Sequence, residues 1–275
     1  MIPEAGRELV RSDLTLEGER YSMDLDHLED VLEQGGERAR MFILCSPHNP
    51  VGRVWGHDEL RRLCDICLRH SVVVVSDEIH HDIVLPPHRH EPMAAFSAEA
   101  AKMSVTCTAA SKTFNLAGLG LANMIVPSSS LRERIGRAMQ ALGLGLGGMN
   151  IFGLTATEAA YRRGEAWLDE ALSYISGNYR LLVDTLAEKL PEVRCLPLEG
   201  TYLPWLDCRK LRYEDAEIKQ RLLRRGRVWL DDGPMFGSGG EGFQRINIAC
   251  PRTLLSQALE RLVDALSPSR SPRPR

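Results

Sequence analysis

Residues 103–115 read MSVTCTAASKTFN, an apolar run that is followed after a few small residues by Lys112. A second run, the four valines of residues 72–75, leads in the same way to Asp77. Runs of this kind, rich in β-branched residues, are typical of strands that are buried on both faces of a parallel sheet. The sequence therefore predicts two strands that deliver an amine and a carboxylate at their C-terminal ends.

A third run, MFILC at residues 41–45, leads to Asn49 in the turn sequence Asn-Pro-Val-Gly. Between the runs, residues 57–70 have helical periodicity, with leucines and cysteines on one side. Alternating strand and helix patterns from residue 1 to about residue 160 predict a mainly parallel sheet with helices on both faces. Open α/β sheets bind ligands at their carboxyl edge, where the amide, the carboxylate and the amine are all expected.

The second half of the chain mixes helix and strand patterns and predicts a separate α+β region. Serines 128–130 are candidate helix caps, and the Gly-rich residues 143–148 fit no nucleotide-binding fingerprint, so we expect a flexible connection there. The predicted strands are 121–126, 193–196, 202–206, 227–230 and 243–248, and the predicted helices are 131–142, 150–163, 165–190, 214–225 and 253–266.

Five motifs, spread over nearly the whole chain, carry a resemblance to a known family: SPHNPVG at 46–52, SDEIH at 76–80, SKTFNLAGL at 111–119, GTYLPWLD at 200–207 and RINIACPR at 245–252. Together and in this order, they resemble the class I/II aminotransferases, and within them the cystathionine β-lyase-type C–S lyases. The resemblance implies an α/β fold: a partial aspartate aminotransferase-like large domain with a mostly parallel sheet at 1–164, a small α+β C-terminal domain at 165–267, and a disordered tail at 268–275.

The resemblance also implies pyridoxal 5′-phosphate (PLP) as the cofactor and gives roles to three residues. Lys112 would form the Schiff base with the PLP aldehyde and later remove the substrate Cα proton. Asp77 would pair with the pyridine nitrogen and keep the ring protonated. Asn49 would donate to the ring oxygen. Judged from the residues alone, a surface lysine, a helix-capping aspartate and an ordinary Asn-Pro turn remain the alternatives.

Three further residues receive roles from the same resemblance. His80 stands where aminotransferases usually carry a tyrosine that touches the ring oxygen, and the lyase branch often has histidine there. Arg245 would bind the substrate α-carboxylate as a bidentate fork. Ser111 would supply a hydroxyl for the cofactor phosphate. A structural histidine and a surface arginine on a strand are the alternatives for His80 and Arg245.

The chain also departs from the family pattern. Ala109 replaces a serine that usually binds the PLP phosphate, Gly120 replaces a polar or basic residue, and Thr108 or Ser111 would have to substitute. The family also carries an N-terminal segment, with two sheet strands and a phosphate-binding helix start, before the point where this sequence begins. We therefore expect an N-terminally truncated form with weakened PLP binding. In the family, one absent strand would lie beside a strand near residues 6–14, so we also expect marginal stability.

The composition excludes several classes of function. The net charge is −3, which favours neither nucleic acid nor an anionic membrane surface as a partner, and no apolar run is long enough to span a bilayer. The seven cysteines are scattered, and no signal peptide precedes them, so we expect free thiols in the cytoplasm. The C-x-x-C at 64–67 fits core packing, and the histidine-rich loop after residue 79 is not expected to hold a metal.

The resemblance implies β-elimination of an S-substituted cysteine, a small amino-acid substrate, to a thiol, pyruvate and ammonia. It also implies a homodimer, because active sites in the family borrow residues across the subunit interface. Two alternatives stay open at this point. One is a PLP-dependent aminotransferase on the same scaffold, and the other is a non-catalytic remnant that keeps the fold and binds no PLP.

Overall fold

The structure, a computed structural model, describes residues 2–144 and 150–267. These residues form two compact units. The first comprises Met1–His48 and Arg53–Leu168, and the second comprises Asn49–Gly52 with the described residues from Asp169 on. The predicted connection at 143–148 lies largely outside the described residues, and the predicted tail at 268–275 lies wholly outside them.

The first unit is built on a four-stranded sheet in which each of the three apolar runs forms a strand. The strand order is β3-β4-β5-β6; β3, β4 and β5 are parallel, and β6 is antiparallel to β5. A separate hairpin, β1-β2, precedes this sheet. The strands of this unit are β1 (Leu14–Glu17), β2 (Arg20–Met23), β3 (Met41–Cys45), β4 (Val73–Asp77), β5 (Ser104–Thr108) and β6 (Asn123–Ile125).

Helices alternate with these strands, and polar caps fix where several of them begin. The helices are α1 (Leu25–Gly35), α2 (His57–Arg69), α3 (Ala98–Met103), α4 (Ala110–Thr113), α5 (Ser129–Ala141), α6 (Ile151–Arg163) and α7 (Glu165–Lys189). Asp24 caps α1 and Ser97 caps α3, each through its side chain. Ser128 accepts a hydrogen bond from the Leu131 amide at the start of α5, so the predicted serine cap is confirmed.

The hydrophobic core of the first unit lies between the sheet and the pair α1 and α2. The apolar sides of both helices are buried, as the periodicity of residues 57–70 predicts. Cys64 and Cys67 belong to this core, which agrees with the packing interpretation of the C-x-x-C. Other members include Leu28, Leu32, Leu44, Trp55, Leu60, Leu63, Ile66 and Val74.

The second unit pairs an antiparallel sheet, in the order β7-β8-β10-β9, with helices that cover it. Buried residues of α7 and α9 supply much of its apolar interior, for example Leu182, Leu186, Leu259 and Leu262. The elements after α7 are β7 (Arg194–Cys195), β8 (Trp205–Asp207), α8 (Asp215–Gln220), a π-helical turn (Arg221–Gly226), β9 (Asp231–Asp232), β10 (Phe243–Arg245) and α9 (Arg252–Leu266).

Two predicted strands are wrong within the described residues. No strand forms at 227–230. Arg227 ends the preceding π-helical turn with φ 51°, the Val228 amide donates back to the Leu222 carbonyl of that turn, and strand pairing begins only at β9. No strand forms at 6–13 either, since this exposed stretch is irregular and the chain first pairs in the β1-β2 hairpin. Gly18 has φ 63° in the turn of that hairpin, a conformation that glycine adopts without strain.

Among the described residues, no helix combines the length and the apolar character that crossing a bilayer requires.

The buried ring of His48 predicts a pH-dependent stability. Its Nδ1 is buried without a hydrogen-bond partner among the described residues, and the ring meets Trp55 edge-on at 5.6 Å. Burial, aided by Arg53, lowers the pKa of His48 to about 4. The unfolded chain binds this proton at about pH 6.5, so stability is full above that pH and is lost as the pH falls toward 4. We expect a loss of about 3 kcal/mol.

Urea unfolding at a series of pH values between 7 and 4 measures this loss. His48→Gln should flatten the pH dependence of the unfolding free energy, whereas the same change at the exposed His27 of α1 should leave it unaltered. An unchanged slope in His48→Gln would contradict the assignment.

Candidate active site

Asp77 lies at the carboxyl end of β4, the central position of the three parallel strands. In the register it pairs with Cys45 on β3 and with Cys107 on β5. Its carboxylate is half-buried, and Oδ1 accepts a hydrogen bond from the Ile79 amide at 3.4 Å. Burial raises the pKa of Asp77, the Ile79 amide and the Lys112 ammonium act against this rise, and Glu78 adds to it. A further positive charge beside Asp77 would therefore stabilise its ionised form.

Lys112 is held close enough to Asp77 for the two charges to interact, and the short helix α4 presents it. α4 begins two residues after β5 ends, so it starts at the same edge of the sheet as Asp77. Ala110 and Thr113 form its buried side, and Ser111 and Lys112 lie half-buried between them. The structure thus brings together the carboxylate and the amine that the sequence predicts at this edge.

Asp82 ties the turn after β4 to α4. Its Oδ2 accepts a hydrogen bond from the Thr113 hydroxyl at 2.9 Å and one from the Tyr161 hydroxyl at 3.4 Å. Its Oδ1 lies 3.2 Å from Nε2 of His81. Burial, with Asp82 second, raises the pKa of Tyr161 to about 12, so this phenol remains a donor at neutral pH. We call Asp82, Thr113 and Tyr161 the Asp82 clamp.

A second carboxylate, Glu78, lies directly after Asp77 and is compensated inside the protein. Its Oε2 is 2.8 Å from Nε2 of His90, and its Oε1 accepts a hydrogen bond from the Ser76 hydroxyl at 2.7 Å. Both members of the Glu78–His90 pair are almost fully buried. Two residues of the histidine-rich loop, His81 and His90, are therefore engaged with carboxylates rather than grouped around a common centre.

His80 is buried in the turn that follows Asp77, where its backbone carbonyl accepts a hydrogen bond from the Ile83 amide at 2.8 Å. The predicted contact of His80 with the ring oxygen of a cofactor stays a prediction, as does the role of Ser111.

Arg245 and Asn49 belong to the second unit, and the structure brings these two predicted residues into contact. Nη1 of Arg245 donates to Oδ1 of Asn49 at 2.7 Å. Nε and Nη2 donate to Oδ2 of Asp231 at 3.0 and 2.6 Å, and the guanidinium lies over the ring of Phe236 at 4.5 Å. One N–H on each terminal nitrogen has no partner among the described residues, and such a pair can bind a carboxylate as a fork.

The residues at the end of β4 fit the ring of PLP. A half-buried carboxylate with a raised pKa is stabilised by a protonated pyridine nitrogen, and an amine is held beside it. The residues expected at the phosphate offer less. Ala109 is buried without a hydroxyl and Gly120 carries no side chain, whereas the Thr108 hydroxyl accepts a hydrogen bond from Asn123 at 3.3 Å and keeps its O–H to donate. Ser111 is the half-buried hydroxyl next to Lys112.

Sequence reasoning missed three residues that support these groups: Thr113, Tyr161 and Asp231. Asp82 and His90 lie in the histidine-rich loop after residue 79, which the sequence analysis weighs only as a metal site. Thr113 adjoins Lys112, which is a local signal that could have been used. Tyr161 and Asp231 carry no such signal, because each contacts its partner only after distant segments have folded together.

A family model described as "Aminotransferase class I and II" matches residues 3–262. Among curated proteins, "Cystathionine beta-lyase PatB" of Bacillus subtilis is 42% identical over 267 residues, which cover 97% of this chain and 68% of that protein.

Solved structures of PLP-containing proteins also match the fold of this chain closely. Cystalysin from Treponema denticola, whose crystal structure contains pyridoxal 5′-phosphate, is 35% identical with a TM-score of 0.91 over 96% of this chain and 66% of its own. A PLP-bound C–S lyase from Staphylococcus hominis is 31% identical with a TM-score of 0.84 over 94% of this chain and 65% of its own. The chain spans about two thirds of the length of these relatives.

The buried Glu78–His90 pair predicts a large effect on stability. His90→Phe keeps an aromatic ring but removes the donor, which leaves a buried carboxylate without its main partner. Removing one member of a buried pair costs about 3 kcal/mol or more. We expect this loss in the unfolding free energy at pH 7, measured with urea.

The double variant Glu78→Gln/His90→Phe should recover part of the loss, because no buried charge remains. His88→Phe, at an exposed position of the same loop, is the matched control. Equal unfolding free energies for His90→Phe and the wild type would refute the importance of the pair.

Proposed function

The chain belongs to the class I and II aminotransferase family, and we propose that it is a PLP-dependent carbon–sulfur lyase of the cystathionine β-lyase type. This membership confirms the resemblance and the aspartate aminotransferase-like α/β fold class predicted from the sequence. The observation that carries the PLP chemistry is that a half-buried carboxylate, Asp77, and an amine, Lys112, lie within electrostatic reach at the carboxyl edge of the sheet. The choice of a lyase over an aminotransferase is supported by the 42% identity to a cystathionine β-lyase.

The proposed reaction is β-elimination on an S-substituted cysteine. Lys112 Nζ accepts the Cα proton, the Cβ–S bond breaks so that the sulfur leaves as a thiolate with the electron pair, and the proton on Lys112 Nζ passes to the thiolate to give the thiol. Asp77 holds a proton at the pyridine nitrogen throughout. When bound, PLP supplies the ring that accepts electrons from Cα. The aminoacrylate that is released reacts with water to give pyruvate and ammonia.

We propose that Arg245 binds the substrate α-carboxylate. Asp231 and Asn49 engage three of its five N–H groups and orient the guanidinium, and the two remaining N–H groups match the two carboxylate oxygens. Asn49 and His80 are proposed for the ring oxygen of the cofactor and Ser111 for its phosphate.

We further propose a cytoplasmic homodimer with a large domain at 1–164 and a small domain at 165–267. The seven cysteines are not joined in disulfides among the described residues, which supports a reducing compartment. The first turn of α6 exposes Ile151 and Phe152, at 69% and 73% of their surface, which supports a subunit contact.

Incubation of the chain with PLP and cystathionine, without any keto acid, tests the proposed reaction. We expect pyruvate to form and the absorbance maximum of PLP to move to longer wavelength when the protein is present, because the amine of Lys112 reacts with the aldehyde. Lys112→Ala should abolish both, because the reactive amine is gone. Lys102→Ala, at an exposed position of α3, should change neither.

The alternatives predict other results. Turnover that requires 2-oxoglutarate and an amino acid, with no pyruvate from cystathionine, would identify an aminotransferase. A PLP absorbance maximum that the wild type leaves where it lies in free PLP would identify a non-catalytic form of the fold.

Arg245→Lys tests the carboxylate site. Lysine cannot form the two-pronged contact, and each hydrogen bond to a charged group is worth about 1.5–3 kcal/mol. We expect the KM for cystathionine to rise about tenfold to a hundredfold, with a smaller change in kcat. Arg212→Lys, at an exposed position, should leave KM unchanged. A wild-type KM in Arg245→Lys would place the carboxylate elsewhere.

A further inference from the structure

We propose that Asp82 is a positioning residue that, through the hydroxyl of Thr113, fixes the direction in which α4 presents Lys112. The inference rests on the proposed function, since it concerns the amine that reacts with the PLP aldehyde. Asp82 itself would touch neither cofactor nor substrate.

The Asp82 clamp connects the two segments that carry the reactive pair. Asp82 lies in the turn after β4, five positions beyond Asp77, and Thr113 directly follows Lys112. The hydrogen bond from the Thr113 hydroxyl to Oδ2 of Asp82 is 2.9 Å long, and Thr113 is buried. A displacement of α4 relative to the turn would break this bond, so the bond fixes the amine relative to the carboxylate.

α4 needs such a bond because it is only four residues long. A helix of this length gains almost nothing from its own hydrogen bonds, and contacts with the rest of the protein must hold it. Successive residues of a helix point about 100° apart. Anchoring Thr113 therefore sets the direction of Lys112, and the buried Ala110 on the same side of α4 adds the packing contact.

Tyr161 supports the same carboxylate from α6. Its hydroxyl donates to the same Oδ2 at 3.4 Å, and its ring meets the ring of Phe114 edge-on at 5.4 Å. Phe114 is the residue after Thr113, so α6 contacts both the anchor and the end of α4. The ring of Phe114 also lies 5.9 Å from that of Trp167. These contacts leave the hydroxyl of Thr113 as the polar link between α4 and Asp82.

Comparing the binding of two ligands distinguishes a loss of Lys112 positioning from a general disruption of the site. PLP carries an aldehyde that reacts with the amine, whereas pyridoxine 5′-phosphate carries an alcohol and binds without that reaction. We expect Thr113→Val, which removes only the hydroxyl, to weaken PLP binding about tenfold, the value of one hydrogen bond to a charged group. Binding of pyridoxine 5′-phosphate should change by less than about twofold.

Three variants complete the experiment. Thr113→Ser keeps the hydroxyl and should restore PLP binding to within about twofold of the wild type. In the background of Asp82→Ala, Thr113→Val should have little further effect on PLP binding, because the shared acceptor is absent. Thr155→Val, which removes an exposed threonine hydroxyl on α6, is the matched control. Absorbance titration gives PLP binding, and quenching of tryptophan fluorescence gives binding of the alcohol.

The outcomes are distinct. An equal loss for both ligands in Thr113→Val, or no rescue by Thr113→Ser, overturns the positioning role and leaves the proposed function standing. Failure of the wild type to bind PLP overturns both. If Thr113→Val does not fold, Tyr161→Phe makes the same comparison at a partly exposed ring, with an expected loss for PLP of about threefold and none for the alcohol.

Discussion

The structure of the first unit depends on keeping one carboxylate, Asp77, half-buried at the end of a central strand. Removing a carboxylate from water is unfavourable unless hydrogen bonds or opposite charges replace the lost hydration. The Ile79 amide and the Lys112 ammonium supply part of that replacement. Glu78 acts in the opposite direction, but His90 and Ser76 engage its two oxygens within the protein. The arrangement leaves one carboxylate, not two, able to take a further cationic partner, which is the environment a pyridine nitrogen requires.

The second unit contains a buried positive charge that is compensated in the same way. Arg245 is a mostly buried cation, and Asp231 compensates its charge through two hydrogen bonds to a single oxygen. Asn49 adds a neutral acceptor on the other side of the guanidinium. A bound anion then meets a guanidinium that is already oriented, so little conformational entropy is lost on binding. Asp77 and Arg245 each have a partner of opposite charge, Lys112 and Asp231 respectively. Each partner compensates the charge only in part, so Asp77 can still interact with a cation and Arg245 with an anion.

The sequence predicts features that depend on neighbouring residues better than it predicts contacts between residues that are distant along the chain. The apolar runs at 41–45, 72–75 and 103–107 predict β3, β4 and β5, because a strand that is buried on both faces needs apolar side chains at consecutive positions. The site residues themselves were named through the family resemblance. The contacts that hold them were not predicted, since Tyr161 and Asp82 are 79 positions apart and Arg245 and Asn49 are 196 apart. The predicted strand at 227–230 is wrong for a related reason. Its residue types are common in strands, but they do not indicate the left-handed conformation of Arg227 or the hydrogen bond from the Val228 amide to Leu222.

Local structure explains one of the two departures from the family pattern near the cofactor phosphate. Gly120 has φ 60° and ψ 44° at the end of a short 3₁₀ helix, a left-handed conformation in which any other residue carries some strain. Ala109 is buried in an extended segment between β5 and α4, where a hydroxyl would need a hydrogen-bond partner of its own. The backbone therefore favours glycine at position 120, whereas the extended backbone of Ala109 accepts any residue and does not explain the alanine. Under the proposed function, the ring end keeps its carboxylate and its amine, so recognition of the cofactor would rest chiefly on Asp77 and Lys112, and hence on the contacts that hold α4 against the turn after β4.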